Sequence, residues 1–157
     1  MKRSIIITVL SLFCISIFFS SSALAKSKAD KYLGKRTLCL DMVNIRNTKI
    51  LDDQTILFST YGGKVYVNRL PASCFDLKNS GAFSFETSLD RLCRQDIIEV
   101  VESTSGQGSK CGLGKFIEIK GVKRISEAVK LLIDKGVLKE LVKEGAFKET
   151  NPPMKGK

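Results

Sequence analysis

Cys39, Cys74, Cys93 and Cys111 are the residues of this chain best equipped for chemistry, and three kinds compete for them. They can bind zinc, exchange with other thiols or close disulfides. Zinc sites draw on close ligand pairs such as C-x-x-C, usually with histidine. Here the intervening gaps are 34, 18 and 17 residues, and the chain has no histidine. Thiol exchange lacks its C-x-x-C for the same reason. An even set of cysteines in an exported chain points to disulfides, and the N-terminus described below supplies the export.

Other side chains offer less. Without histidine, a Ser or Cys nucleophile lacks its commonest base. Asp52-Asp53 is a carboxylate pair that can serve a metal or acid–base work, or simply cap the turn before TILF. Asp96, close after Cys93, can meet a ligand or bond local backbone amides. Tyr66, Asn68 and Arg69 form a polar run suited to recognising a partner or a sugar, or are ordinary solvated strand residues. The stretch GQGSKCGLGKF, residues 106–116, has the glycines and lysines of a phosphate cradle. A Walker-type loop, however, needs G-x-x-x-x-G-K-[ST] between strand and helix. Counting back from Gly114-Lys115, the first glycine position is Ser109, and Phe116 replaces the hydroxyl residue. The stretch is read as a hairpin connection. No catalytic residue, metal or cofactor is assigned.

The elements that must position these residues are mostly strands. In TILFSTYGGKVYVNRL, residues 55–70, two β-rich runs flank Gly62-Gly63, the signature of a two-residue hairpin loop. That register sets Phe58 opposite Val67 and Thr60 opposite Val65. Tyr66 and Asn68 then fall on the face opposite Phe58 and Val67. TLCLDMVNI reads as an earlier strand reversed by RNTKILDDQ, AFSFET as a short strand, and DIIEVVE as the partner of KFIEIK. In such a meander, Cys39–Cys74 and Cys93–Cys111 would each have to span a strand length of roughly 17–20 Å, beyond the ~4.4–6.8 Å that a disulfide allows between Cα atoms. The preferred pairing is Cys39–Cys111 with Cys74–Cys93. Cys39–Cys93 with Cys74–Cys111 is the alternative, and it depends on the irregular segment 71–92.

The chain opens with Lys2 and Arg3, an apolar run from Ile5 to Phe19, and Ala23-Leu24-Ala25. This is a signal-peptide pattern with cleavage before Lys26. A retained anchor of fifteen residues would reach roughly 22 Å, short of the ~30 Å hydrocarbon core. Cys14 follows bulky Phe13, which argues against a lipid-anchored cysteine. The expected organisation is a signal peptide (1–25), a basic N-terminal segment (26–36), a disulfide-braced β domain (37–120), a helical extension (121–149) and a disordered tail (150–157). In the extension, apolar positions 125, 128, 129, 132, 133, 137, 138, 141 and 142 follow helical spacing. Ser126 can cap its start, with Glu127 in the first turn, while Gly136 and Gly145 suit helix ends. Its polar face mixes Glu with Lys, which favours packing on the sheet or a partner over lying on a membrane.

Charge follows the same division. Residues 26–37 carry five basic side chains and one acidic, and residues 120–157 carry ten and five; the section between has nine and ten. A nucleic-acid face needs its charge clustered on a folded surface among aromatics. The sequence suggests solvated basic ends instead, so no specific nucleic acid is expected.

The order C…LDDQTILF…YVNRL…C-x-x-L…LCRQDIIEV…CGLGKF resembles a family of small exported bacterial proteins classed as a domain of unknown function. The similarity covers about residues 37–119. It implies structural roles for Cys39, Cys74, Cys93 and Cys111, motif roles of unknown purpose for Asp52, Asp53 and Asp96, and no activity. The helical extension departs from that pattern. The reading is therefore a mainly β, small disulfide-braced antiparallel sheet or barrel with a C-terminal helical appendage, periplasmic or secreted. Its function is expected to be non-enzymatic binding of an unknown protein or envelope component, without a transmembrane span after signal cleavage. The rivals are a small envelope hydrolase-like enzyme using Asp52, Asp53 or Asp96, and an inhibitor of an envelope enzyme. Intact-mass analysis should find a chain starting at Lys26 and lacking four hydrogens relative to its reduced form. A native free-thiol count near four would refute it.

Overall fold

A computed structural model describes residues 31–87, 89–101, 108–134 and 136–139. The expected signal peptide, residues 26–30, residues 102–107, the Gly145 helix end and the 150–157 tail lie outside the described residues.

The fold is built around β4 (Thr55–Thr60), whose TILFST sequence is rich in β-branched and aromatic residues. Its first five residues are all buried, the mark of a strand covered on both faces. Beside it lie β3 (Ile45–Asp52) and β5 (Val65–Arg69), then β10 (Phe116–Ile119) and β1 (Leu33–Thr37). The sheet order is β1-β10-β5-β4-β3, and every pairing is antiparallel. Two smaller antiparallel sheets accompany it. One joins β2 (Cys39–Asp41) to β7 (Arg91–Cys93); the other orders β6 (Phe83–Phe85), β8 (Ile97–Val100) and β9 (Lys110–Gly112) as β6-β8-β9. The central sheet is open rather than closed as a barrel.

Each face of the central sheet has its own core. On one, Leu57, Val67 and Ile117 pack with Ala128, Leu132 and Val137. Ala128 belongs to α2 (Ile125–Val129), which runs on into a π-helical turn at Lys130–Asp134. On the other face, Ile56, Phe58 and Phe116 pack with Leu40, Leu77, Leu92 and Ile98. Leu77 opens the one-turn α1 (Leu77–Ser80). The rings of Phe58 and Phe116 meet edge to face, 5.3 Å apart, a favoured aromatic geometry.

Several expectations need correction. The β4–β5 loop has three residues, not two. Thr60 N–H donates to the Lys64 carbonyl and Gly63 N–H to the Thr60 carbonyl, with Gly63 at φ +70°. That is a turn closed by a left-handed glycine, and the extra residue shifts the register by one. Leu57 therefore faces Val67, and Phe58 faces Tyr66. RNTKILDDQ does not merely reverse the chain; most of it forms β3, and Asp53-Gln54 makes the turn into β4. DIIEVVE does not pair with KFIEIK, since β8 pairs with β6 and β9 while β10 pairs with β1 and β5. The β domain also starts before Thr37. Leu33–Arg36, expected within the basic segment, lie in β1, whose exposed Lys35 and Arg36 suit a sheet edge. Ser126 does not cap helix α2: the N-cap position is Arg124, without a side-chain cap hydrogen bond, and Glu127 instead holds the turn before the helix. One Glu127 oxygen accepts from Lys123 N–H and the other from the Arg124 side chain.

The cysteines are bridged, but not in the preferred pairing. The bonds are Cys39–Cys93 and Cys74–Cys111, the alternative set. TLCLDMVNI is not one strand: the chain breaks at Leu38, and β2 leaves the central sheet to pair with β7. Cys39 then sits directly across from Cys93. Cys111 lies in β9, packed against the core that contains Cys74. The bridges span 54 and 37 residues, so each contributes about 4 kcal/mol by the chain-entropy model. Non-reducing peptide maps should contain Cys39–Cys93 and Cys74–Cys111 fragments, and replacing either pair with alanine should cost roughly 2–5 kcal/mol. A Cys39–Cys111 fragment would contradict the β2–β7 pairing.

Candidate functional site

The polar residues singled out in the sequence fall in four places. Asp52, Asp53 and Arg69 meet at the β3–β4 turn. Asp52 Oδ1 accepts from Gln54 N–H, closing the turn locally. Asp53 reaches further: its Oδ1 accepts from Lys78 N–H and its carbonyl from Cys74 N–H. It thereby fastens the start of α1 to the sheet. Arg69 donates to Gln54 Oε1 and Thr55 Oγ1, tying β5 to the same turn. These groups are engaged in holding the backbone.

Asp96 behaves likewise. Its Oδ2 accepts from Cys93 N–H at 2.6 Å, closing the β7–β8 turn beside the disulfide. Among the described residues, no group of three or more Cys, Asp or Glu is placed to hold a metal ion.

Asn68 is neither solvated nor available to a ligand. It is fully buried, on the same face as Phe58 and Phe116 rather than opposite Phe58. Its Nδ2 donates to the Gly114 carbonyl, and its Oδ1 accepts from Gly114 N–H, both at 2.9 Å. The pair satisfies both polar groups of a buried glycine peptide. A β-carbon at Gly114 would run into the Arg69 carbonyl oxygen, so only glycine fits there. This is the structural role of the glycine that resembled a phosphate cradle, and the segment leads into a strand, β10.

Tyr66 remains. It is half-buried against the Phe58 core and lines a cleft of about 350 Å³ with Lys35, Thr37, Asp41, Asn44 and Lys64. Lys64 pairs with Glu118 at 3.5 Å, and Asp41 with Arg91 at 3.1 Å. Across the hairpin tip lies a second cleft of about 280 Å³, lined by Arg46, Asn47, Ser59, Tyr61, Lys123 and Arg124. Thr60 lines both. Glu127 beside this cleft titrates below the ordinary carboxylate range, chiefly through Lys123 N–H and then through the Arg124 side chain.

The sequence reading missed the residues of both clefts apart from Tyr66. Lys35 meets Asn44 and Lys64 in one cleft, and Arg46 meets Lys123 and Arg124 in the other, only because distant strands are adjacent. The described parts of the basic segments are also not mere solvated ends. Leu33 faces Ile119, and Lys120 N–H donates to the Tyr32 carbonyl, so residues 31–36 and 120–124 fold onto one end of the sheet.

Comparison with known proteins returned no match among family models, curated proteins or solved structures.

Replacing Asn68 with alanine should destabilise the fold by about 2–4 kcal/mol, since it strands a buried N–H and a buried carbonyl. Urea unfolding checks this; a loss below about 0.5 kcal/mol would show that Gly114 finds other partners.

Proposed function

We propose that this is an exported, non-enzymatic binding protein of the periplasm or exterior, and that the Tyr66 cleft is its recognition surface. The observation that carries the reading is the state of the acidic side chains. Asp52, Asp53 and Asp96, on which the hydrolase-like rival relies, each accept a hydrogen bond from a backbone amide, Asp52 and Asp96 within their own turns and Asp53 from the start of α1. Tyr66 instead offers part of an amphipathic ring to an open cleft beside lysine, threonine and asparagine side chains. Such a mixture of one aromatic and convergent polar groups is how proteins commonly orient a ligand. Two disulfides accord with an oxidising compartment. Among the described residues no helix is long and apolar enough to cross a membrane. The resemblance to small exported four-cysteine proteins belongs to the same proposal and brings no activity with it.

Immobilised protein challenged with an envelope extract tests the reading, with retained components identified by mass spectrometry. A component held by the wild type should be lost from Tyr66→Ala. It should also weaken for Lys35→Gln with Lys64→Gln, two exposed substitutions that leave the core intact. If all variants retain the same set at unchanged melting temperature, the Tyr66 cleft is not the recognition surface.

A further inference from the structure

We infer that the end of the sheet carrying the β4–β5 hairpin tip docks on an anionic phospholipid surface, with Tyr61 entering the headgroup layer. The inference rests on the exported reading but not on the Tyr66 cleft. Antiparallel pairing of β1 with β10 brings the first and last strands of the sheet together. The described residues beside that pairing, Lys31 before β1 and Lys120, Lys123 and Arg124 after β10, therefore arrive at one end of the sheet. Exposed Lys31, Arg46, Lys64, Lys120, Lys123 and Arg124 gather there, with Glu118 and Glu127 as the carboxylates paired to two of them. Asp41, nearby, is paired with Arg91. Among the described residues the cleft lined by Arg46, Lys123 and Arg124 has no carboxylate in its wall, and Glu127 pairs with Arg124 beside it; its other polar groups include Asn47, Ser59 and Thr60. Cations that converge with uncharged polar groups suit a phosphate.

The tip adds a second kind of evidence. Tyr61 is 70 % exposed and opens the three-residue loop, between Thr60 and Gly62. The Arg46 guanidinium lies 6.0 Å from its ring centroid, and the clefts flank it on either side. An exposed aromatic ring beside a cation-lined cleft matches a headgroup layer, where amphipathic rings settle and each nearby Lys or Arg adds attraction. Base stacking in a nucleic acid would instead favour a groove with several open rings. Tyr32 and Tyr66, the other tyrosine rings near this end, are both half-buried.

The chain contains no tryptophan, so Tyr61→Trp gives a single reporter at the tip. The exported protein bearing this change should shift its emission to the blue with phosphatidylglycerol–phosphatidylcholine vesicles and not with phosphatidylcholine alone. Neutralising Arg46, Lys123 and Arg124 to glutamine should lower partitioning about fivefold each. Lys78→Gln, the same charge change at the opposite end of the sheet, should leave it unchanged. Glu127→Gln, which frees Arg124 from its ion pair, should strengthen binding. Equal partitioning to both vesicle types, equal loss from Lys78→Gln, or no blue shift would overturn the inference. Tighter binding to duplex DNA than to the anionic vesicles would overturn it in favour of nucleic acid. Failure here with Tyr66-dependent capture intact would leave the proposed function standing.

Discussion

Leu57 and Phe58 point to opposite sides of β4, and both are fully buried. A sheet whose centre is apolar on both faces must be covered twice, and the rest of the fold answers that demand. The helical segments after Gly121 cover one side through Ala128, Leu132 and Val137. The other cover is made of short strands, three or four residues each, which bury little on their own. Isolated ribbons of that length are not stable in water. The disulfides compensate: Cys39–Cys93 staples β2 to β7, and Cys74–Cys111 ties β9 to the segment after β5. Covalent bracing is thus concentrated on the side where local structure is weakest.

Asn68 and Gly114 join the layers in a different way. The glycine lies against the backbone of β5, and its peptide would be orphaned without the asparagine amide. A buried polar group left unpaired costs more than a made bond contributes. The contact therefore acts as a registration device, since a slip of β10 along β5 would separate the two partners. The Asp53 contacts do similar work at the lower end, where one residue holds both Cys74 and Lys78.

Much of this was legible in the sequence, and the misses have physical causes. The runs that became β4, β5, β6 and β8 announce themselves through β-branched and aromatic composition. The distance argument rightly excluded Cys39–Cys74 and Cys93–Cys111. It could not choose between the remaining pairings, because that depends on β2 leaving the main sheet for β7, a long-range event without a local signal. The hairpin slip arose because Gly62 and Gly63 both permit a turn, while the loop length depends on which adopts the left-handed conformation. Asp52 and Asp96 were recognisable as turn residues. Asn68 was not recognisable as buried, since its partner lies 46 residues away.

The convergence of charge was hidden for the same reason. Two basic stretches far apart in sequence read as separate ends until β1 is placed beside β10. Glu127 then holds a divided role. Its lowered pKa means that its contribution to folding is complete above the unfolded carboxylate value. That contribution is lost as pH falls through the folded value. Protonation in that acid window also loosens its hold on Arg124 and raises the net charge of the basic end. On the membrane-docking inference, acid strengthens the attraction of this end for anionic lipid while weakening the start of α2. On that inference, Glu127's hold on the turn before α2 and the proposed docking surface draw on the same guanidinium, so tuning one moves the other.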